Sequence, residues 1–354
     1  MSDHFDVVGI SSKGEELNDV NADEGVRTIE LQMSRKISPL EDLVSLSKMI
    51  ALFIKEKPQI VHTHSPKAGI VGMLAAWICR VPIRLHTVAG LPLMEASGYK
   101  RKILLYVEKL TYFCSTKIYP NSFGLEDYIV VNNLAARAKL KVIGHGSSNG
   151  IDTEFFAQAE MNFTDIRHEC ALGGKFIFLY IGRIVADKGI NELIYAFDKI
   201  SQKHRNVSLL LVGPFENELD PISSASLKVI DENSHILTLG FVKDVRPYLA
   251  CCDVLVLPTY REGFPNVLLQ ACSMEVPCIT TNINGCNEII KNNYNGLVVE
   301  PKDKVGLYFA MKKFILVEGL SNKLSLYSRN DIVEKYERKR FHQYLLEEYL
   351  EAFR

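Results

Sequence analysis

The sequence predicts an α/β protein made of two Rossmann-like domains facing a cleft. Three observations point there. The chain has 354 residues, enough for two domains at roughly 150 residues each. Short apolar runs of strand length alternate with helix-period segments, the grammar of parallel β-α-β units with right-handed crossovers. The same grammar runs through both halves, with a poorly periodic, Gly-Gly-containing stretch at Asn162–Gly174 that reads as a linker. The predicted domains are 1–160 and 161–335, with a final helix over about 338–354 returning to the first.

In the first half, Phe5–Ile10 and Val26–Leu31 read as strands, and Pro39–Lys55 as a helix carrying Leu40, Leu43, Leu46, Ile50 and Phe53. Strand Ile60–His62, helix Lys67–Ile78 and strand Ile83–Thr87 follow. Then come helix Lys100–Cys114, strand Lys117–Tyr119, a helix over Ser122–Val131 with Ser122 as its cap, and strand Leu140–Ile143. The second half gives strands at Phe176–Ile181, Val207–Val212, Ile236–Leu239, Val254–Leu257, Cys278–Thr281 and Gly296–Val299. Helices lie between them at Asn191–Ser201, within Pro221–Asn233, and at Val245–Ala250 and Asn266–Cys272; beyond Lys302 helices dominate. A Rossmann-like domain opens with a strand, a glycine-rich loop and a helix. Here the chain enters almost directly on Phe5–Ile10, so the first domain is expected to lack that opening unit.

Composition excludes several classes. Lys plus Arg number 41 and Asp plus Glu 42, so the strong positive field of a general nucleic-acid binder is absent. The longest apolar stretch, Ile70–Ile78, is far below the ~20 residues of a membrane span. No leader pattern opens the sequence, which predicts a cytoplasmic protein. The eight cysteines form no C-x-x-C pair and read as small buried hydrophobes in a reducing compartment. No D-x-D motif or His/Asp cluster has metal-ligand spacing, so neither metal nor cofactor is expected.

Two segments carry chemistry. Arg261-Glu262-Gly263-Phe264-Pro265-Asn266-Val267 follows a strand and opens a helix, where free N–H groups and the helix dipole favour an anion. Gly263 allows close approach, and Glu262 adds an acceptor. A carboxylate beside phosphate is tolerable when it grips neutral hydroxyls, which points to a sugar attached to phosphate. Gly182-Arg183-Ile184-Val185-Ala186-Asp187-Lys188-Gly189 follows the first strand of the second domain, and Arg183 and Lys188 can converge on a diphosphate.

These segments, with the turn Asn149-Gly150-Ile151-Asp152 and the run His62-Thr63-His64-Ser65-Pro66-Lys67-Ala68-Gly69, resemble glycosyltransferase family 4, retaining enzymes of the GT-B fold. The order of motifs is the family's, and the likeness extends from about Phe5 to the final helices. It is nearest to bacterial enzymes of capsule, O-antigen and exopolysaccharide assembly. The resemblance implies a hexose or N-acetylhexosamine moved from a nucleotide sugar, UDP-linked by preference, to a polyprenyl-linked or glycan acceptor. It implies that Gly182, Arg183 and Lys188 hold the donor diphosphate. Glu262 and the backbone from Gly263 through Phe264, Pro265 and Asn266 to Val267 would hold sugar and phosphate, and Phe241 and Val242 would lie beside the base. The family's ribose-gripping acid falls at Gln270, an amide that bonds hydroxyls without charge assistance. The family's first-domain polar position falls at Ala89. His86 is the substitute candidate, followed by His64 and then His62, which alternation turns into the sheet, with Lys67 and Asn149 also on the acceptor side. Arg183, Lys188, Glu262 and His86 form the candidate catalytic set. Leaving-group charge would be neutralised electrostatically, and the phosphate oxygen can itself take the acceptor's proton.

The stretch Gly98–Val107 joins Lys100, Arg101 and Lys102 to apolar residues, a pattern able to sit on an anionic inner leaflet; Arg35, Lys36, Arg80 and Arg84 could extend it. Two other readings compete: a catalytically impaired or N-terminally shortened homologue, favoured by Ala89 and Gln270, and a nucleotide-sugar 2-epimerase of the same fold.

Overall fold

The computed structural model describes residues 1–33, 38–157, 164–216, 218 and 220–353. The chain divides into two compact units. The first comprises Met1–Asn121, Leu125–Ile143 and Gln343–Arg354, the second Ser122–Gly124 and Gly144–His342. The divide falls at Ile143/Gly144 rather than at 160. The last helix, Arg338–Ala352, begins in the second unit and ends in the first.

Among the described residues the first unit holds five strands, β1 (Val8–Ser11), β2 (Arg27–Glu30), β3 (Ile60–Thr63), β4 (Ile83–Val88) and β5 (Lys117–Pro120). All pairings are parallel. β1 pairs with β2, and β3-β4-β5 form a separate ladder; no ladder joins the two sets among the described residues. One core nonetheless spans both, with Leu31 and Val61 in a single cluster with Met49 and Phe53. The helix Pro39–Glu56 starts on a proline, which needs no N–H in the first turn, and stops at Lys57 in the left-handed region (φ 50°) ahead of Pro58. The side chain of Ser65 caps the helix Pro66–Ile78 by accepting from Ala68 N–H at 3.4 Å.

The second unit is one six-stranded parallel sheet: β6 (Phe176–Ile181), β7 (Val207–Val212), β8 (Ile236–Gly240), β9 (Val254–Leu257), β10 (Cys278–Thr281) and β11 (Gly296–Val299), in the order β11-β10-β9-β6-β7-β8. β7, Val-Ser-Leu-Leu-Leu-Val, is buried throughout, as a strand covered by helices on both faces must be. The helix Ile190–Ser201 buries Ile190, Leu193, Ile194, Phe197 and Ile200, a helical stripe laid on that sheet.

Three expectations change. Leu140–Ile143 is no strand: it makes one isolated bridge, Ile118 to Leu140. Part of the expected linker is ordered, with a helix at Thr164–Glu169 and Leu172 fully buried, while 162–163 lie outside the described residues. A helix at Glu15–Glu24 went unforeseen because Glu-Glu-Leu-Asn-Asp-Val-Asn-Ala-Asp-Glu offers almost no apolar stripe. The cysteines are free and mostly buried, and burial raises the Cys251 thiol to about 11.

Candidate active site

The strand order of the second unit reverses between β9 and β6: from β6 the chain steps through β7 to β8, then returns to β9 and steps the other way. Ligands of open parallel sheets bind at the carboxyl ends of the strands flanking such a reversal. The two chemical segments both lie there, Gly182–Gly189 after β6 and Arg261–Asn266 after β9.

Close backbone contact sets their geometry. Gly189 (φ +72°) ends a short 3-10 turn, and a Cβ on it would stand 1.9 Å from the Pro258 carbonyl oxygen. Gly285 (φ +74°) likewise lies so close to Gly263 that a Cβ would be 2.3 Å from its carbonyl oxygen. Only glycine fits either site, which presses the loops after β6, β9 and β10 into one cluster.

Within that cluster every named cation has a carboxylate partner. Lys188 Nζ donates to Glu262 Oε1, with both side chains mostly buried. The more exposed Arg183 donates to Glu216 Oε2 at 2.7 Å, and Arg261 to Asp187 Oδ2 at 2.8 Å. The Tyr180 hydroxyl donates to Arg183 O at 2.7 Å; burial, then the charges of Glu262 and Asp187, push its pKa well up. Asn284 Nδ2 donates to Glu262 O at 2.5 Å and fixes that loop. Gly263, Phe264 and Pro265 are buried, and the Phe264 ring packs on Tyr336 at 5.3 Å. Its side chain therefore belongs to the core, which leaves only its backbone for a ligand. Asn266 is exposed and Val267 and Gln270 half-buried on the first turns of the helix Asn266–Ser273. Phe241 is 79% exposed just beyond β8, with Val242 half-buried beside it.

The first unit gathers three histidines at the ends of β3 and β4. His86 is 2% exposed; its Nδ1 bonds Thr63 Oγ1 at 2.7 Å, and its ring lies so close to Gly69 that a Cβ there would be 2.6 Å away. Burial lowers its pKa to about 4. His86 is thus a buried histidine whose Nδ1 is held by Thr63. His62 bonds Thr87 Oγ1 at 2.8 Å and the Tyr349 hydroxyl of the last helix; burial, then the neighbouring histidines, hold its pKa well below the ordinary range. His64 is exposed as a residue while its ring stacks against His62 (4.1 Å between centroids), and desolvation lowers its pKa as well. Lys67 is held by both oxygens of Asp42, at 2.6 and 2.8 Å.

With this geometry in hand, comparison with known proteins identifies the family. Residues 1–122 match the model for glycosyl transferase 4-like proteins, and residues 175–316 that for glycosyl transferases group 1. A capsular polysaccharide biosynthesis glycosyltransferase, CapM of Staphylococcus aureus, is 38% identical over 333 residues, covering 94% of this chain and 86% of that protein. The chain is a group 1 glycosyltransferase. An Escherichia coli UDP-Gal:alpha-D-GlcNAc-diphosphoundecaprenol alpha-1,3-galactosyltransferase is 31% identical over 345 residues, 95% of this chain and 86% of that one. Among solved structures, Anabaena HepE in complex with UDP and glucose superposes with a TM-score of 0.82 at 17% identity, over 97% of this chain and 91% of that one. At that identity the likeness speaks for the fold, and the fold is GT-B.

In this glycosyltransferase the turn Asn149–Asp152 is a clasp inside the second unit. Gly150 (φ +64°) lies against Tyr336 and Arg338, Ile151 exchanges backbone hydrogen bonds with both at 2.8 and 2.9 Å, and the Asp152 carboxylate lies 3.7 Å from the Arg338 guanidinium. Asn149 is exposed beside the clasp. Glu216 and the Asn284-Gly285 loop went unnoticed in the sequence. The Asn282-Ile283-Asn284-Gly285 run directly after the strand β10 is the available signal for the loop. Glu216 lies in the loop beyond β7 with nothing local to distinguish it.

Proposed function

We propose that this chain is a retaining transferase that moves a hexose or N-acetylhexosamine from a UDP-sugar to a polyprenyl-diphosphate-linked acceptor in surface polysaccharide assembly. The observation that carries the proposal is the pairing at the β6/β9 reversal, where Arg183 is held by Glu216 and Lys188 by Glu262. A diphosphate entering there exchanges places with Glu216 at Arg183 and meets Lys188 and the N–H groups of the Asn266 helix. Glu262, freed from Lys188, accepts from sugar hydroxyls. Gln270 accepts from ribose, and Phe241 offers a ring face to the base. Departure of the nucleoside diphosphate then builds charge where cations already stand, which is electrostatic stabilisation without a metal. The acceptor proton passes to the leaving phosphate oxygen, so no dedicated base is required.

On the acceptor side the reading rests on the exposed His64 and the half-buried Lys67 of the first unit, where His86 is buried. The lipid-linked acceptor is drawn from the E. coli relative and from a Campylobacter jejuni N,N'-diacetylbacillosaminyl-diphospho-undecaprenol alpha-1,3-N-acetylgalactosaminyltransferase, 26% identical over 95% of this chain. A cytoplasmic protein seated peripherally on the inner membrane face suits that chemistry, and no described helix is long and apolar enough to cross a membrane. The test is transfer from UDP-galactose, UDP-glucose and their N-acetyl analogues to diphosphoundecaprenol-linked sugars. Arg183→Ala and Glu262→Ala should each lose roughly 10²–10³-fold in kcat/KM. Turnover equal to wild type in both would refute the donor site. Release of free epimerised nucleotide sugar without acceptor would favour the epimerase reading.

A further inference from the structure

Of the basic residues noted in the first domain, Arg84 donates to Cys114 O and Val81 O and Arg101 to Leu93 O, while Arg35 and Lys36 lie outside the described residues. In the second unit, cations without an acidic partner meet at the amino edge of the sheet, where β6 and β7 begin. A cavity of about 640 Å³ opens there, within the range that holds small ligands. Phe176 at the start of β6, Val207 at the start of β7 and Ile315 from the helix Lys304–Leu316 give it an apolar wall. Lys175, His204 and Arg205 line it too, and none of their side chains has a hydrogen bond or an ion pair among the described residues.

The acceptors around this cavity are already taken. Asn206 Nδ2 donates to Gly174 O at 2.6 Å, Arg167 Nη1 to Lys175 O at 3.3 Å, and the Phe176 N–H to Asn206 O at 2.9 Å. Asp253, the one carboxylate on the wall, accepts from the Ile177 N–H at 2.7 Å and lies 3.6 Å from the Arg167 guanidinium. The oxygens that would repel an anion are therefore engaged, and the same bonds lock the segments on which the cations stand. Donors are left over: the Lys175 ammonium, the Arg205 guanidinium and the His204 ring. The carboxyl end of the helix Ile190–Ser201 favours cations nearby, which accounts for His204 and Arg205 taken alone. It does not account for Lys175, which comes from a different element, the turn entering β6.

We propose that this cavity is a second ligand site, separate from the donor loops, for a small phosphorylated molecule such as a sugar phosphate. Phosphate supplies the acceptor oxygens that Lys175 and Arg205 lack, a point charge and a fork suited to one dianion. The organic part lies against Phe176 and Ile315. A purely apolar ligand would leave the cations desolvated and unpaired, and a cationic one would be repelled. β6 and β7 each run 6 residues from this edge toward the loops that carry Arg183 and Glu216, about 20 Å at the rise of a strand. A ligand here touches neither the donor nor the reacting atoms, so the inference stands whether or not Arg183 and Lys188 hold the donor.

Glucose 1-phosphate is the probe and glucose the neutral control, each titrated calorimetrically into the full chain with UDP present at saturation. A single saturable site for glucose 1-phosphate should appear, weakening as salt is added, and glucose should not bind. Lys175→Ala with Arg205→Ala should weaken binding roughly tenfold, with the unfolding transition and transfer from UDP-sugar at wild-type values. Arg205→Glu, a change at one exposed side chain, should abolish binding and keeps the test sound should the double variant fold poorly. Arg183→Ala should bind glucose 1-phosphate like wild type while losing transfer, so this site and the donor reading fail separately. No saturable binding at millimolar glucose 1-phosphate would overturn the proposal. So would equal binding of glucose, wild-type affinity in the Lys175 and Arg205 variants, or loss of binding in Arg183→Ala.

Discussion

Lys188→Met separates structural from chemical use of the Lys188–Glu262 pair. The two side chains are 17% and 16% exposed, so removing the lysine leaves a carboxylate mostly out of water with its principal countercharge gone. Breaking a buried pair from one side costs about 3–5 kcal/mol; the residual exposure here places the expectation at about 3 kcal/mol. Replacing both partners, Lys188→Met with Glu262→Gln, removes the stranded charge and should recover about 2 kcal/mol of that loss. Activity should not follow stability if the pair holds the donor as proposed, because diphosphate and sugar have then each lost a partner. kcat/KM in the double variant should stay down by at least roughly 10³-fold. Urea unfolding followed by far-UV circular dichroism gives the stabilities, and transfer from UDP-sugar gives the rates. Recovery of both stability and activity in the double variant would show that the pair only holds the loops together.

Other perturbations probe separate links. Glu216→Gln should lower the donor KM by up to about fivefold with little change in kcat, since it releases Arg183 from a partly exposed pair worth about 1 kcal/mol or less; a raised KM would mean that Glu216 positions Arg183 for the donor. Gly189→Ala should cost at least about 3 kcal/mol, because the methyl meets the Pro258 carbonyl oxygen at 1.9 Å in a left-handed backbone; a loss below about 1 kcal/mol in urea titration would contradict that packing. His86 stays neutral in the fold down to about pH 4, whereas an unfolded histidine protonates near 6.5. Its contribution to stability is complete above 6.5 and falls by about 3 kcal/mol as pH drops through that window. His86→Gln should flatten that slope in urea titrations from pH 7 to pH 4, and an unchanged slope would place the acid sensitivity elsewhere. Amide exchange should be fastest in the isolated β1–β2 ladder and slowest in β6, β7 and β9.

The second unit was legible because buried parallel strands write themselves as uninterrupted apolar runs. Phe176–Ile181, Val207–Val212 and Val254–Leu257 have in the structure the bounds read from sequence. The first unit was legible in outline but not at Glu15–Glu24, where a polar helix carries no period to read, nor at Leu140–Ile143, where an apolar run packs without joining a ladder. Motif spacing located both loops at the β6/β9 reversal. It could not reveal that each cation there is already paired, because Glu216 lies 33 residues from Arg183 in sequence. Strand-end position favoured His86 over His64. In the structure His86 is the more buried of the two, since alternation along β4 does not report the helix that closes over it at Gly69.

Pairing has a consequence for how a donor is recognised. Arg183, Lys188 and Arg261 face Glu216, Glu262 and Asp187, so the loops present three cations and three carboxylates with little net field. A field of that kind does not steer anions from a distance, and free phosphate gains little by replacing a carboxylate that already satisfies the arginine. A sugar diphosphate differs because it supplies both halves of the exchange: anionic oxygens for the cations and hydroxyls for the carboxylate set free. Glu262 released from Lys188 into a mostly buried site is stable only if hydroxyl donors meet it, so the cost of opening that pair is offset by the intact donor and not by the diphosphate alone. If Lys188 and Glu262 hold the donor as proposed, selectivity for nucleotide sugar over nucleotide is a property of that pair, and UDP alone should bind measurably more weakly than UDP-sugar.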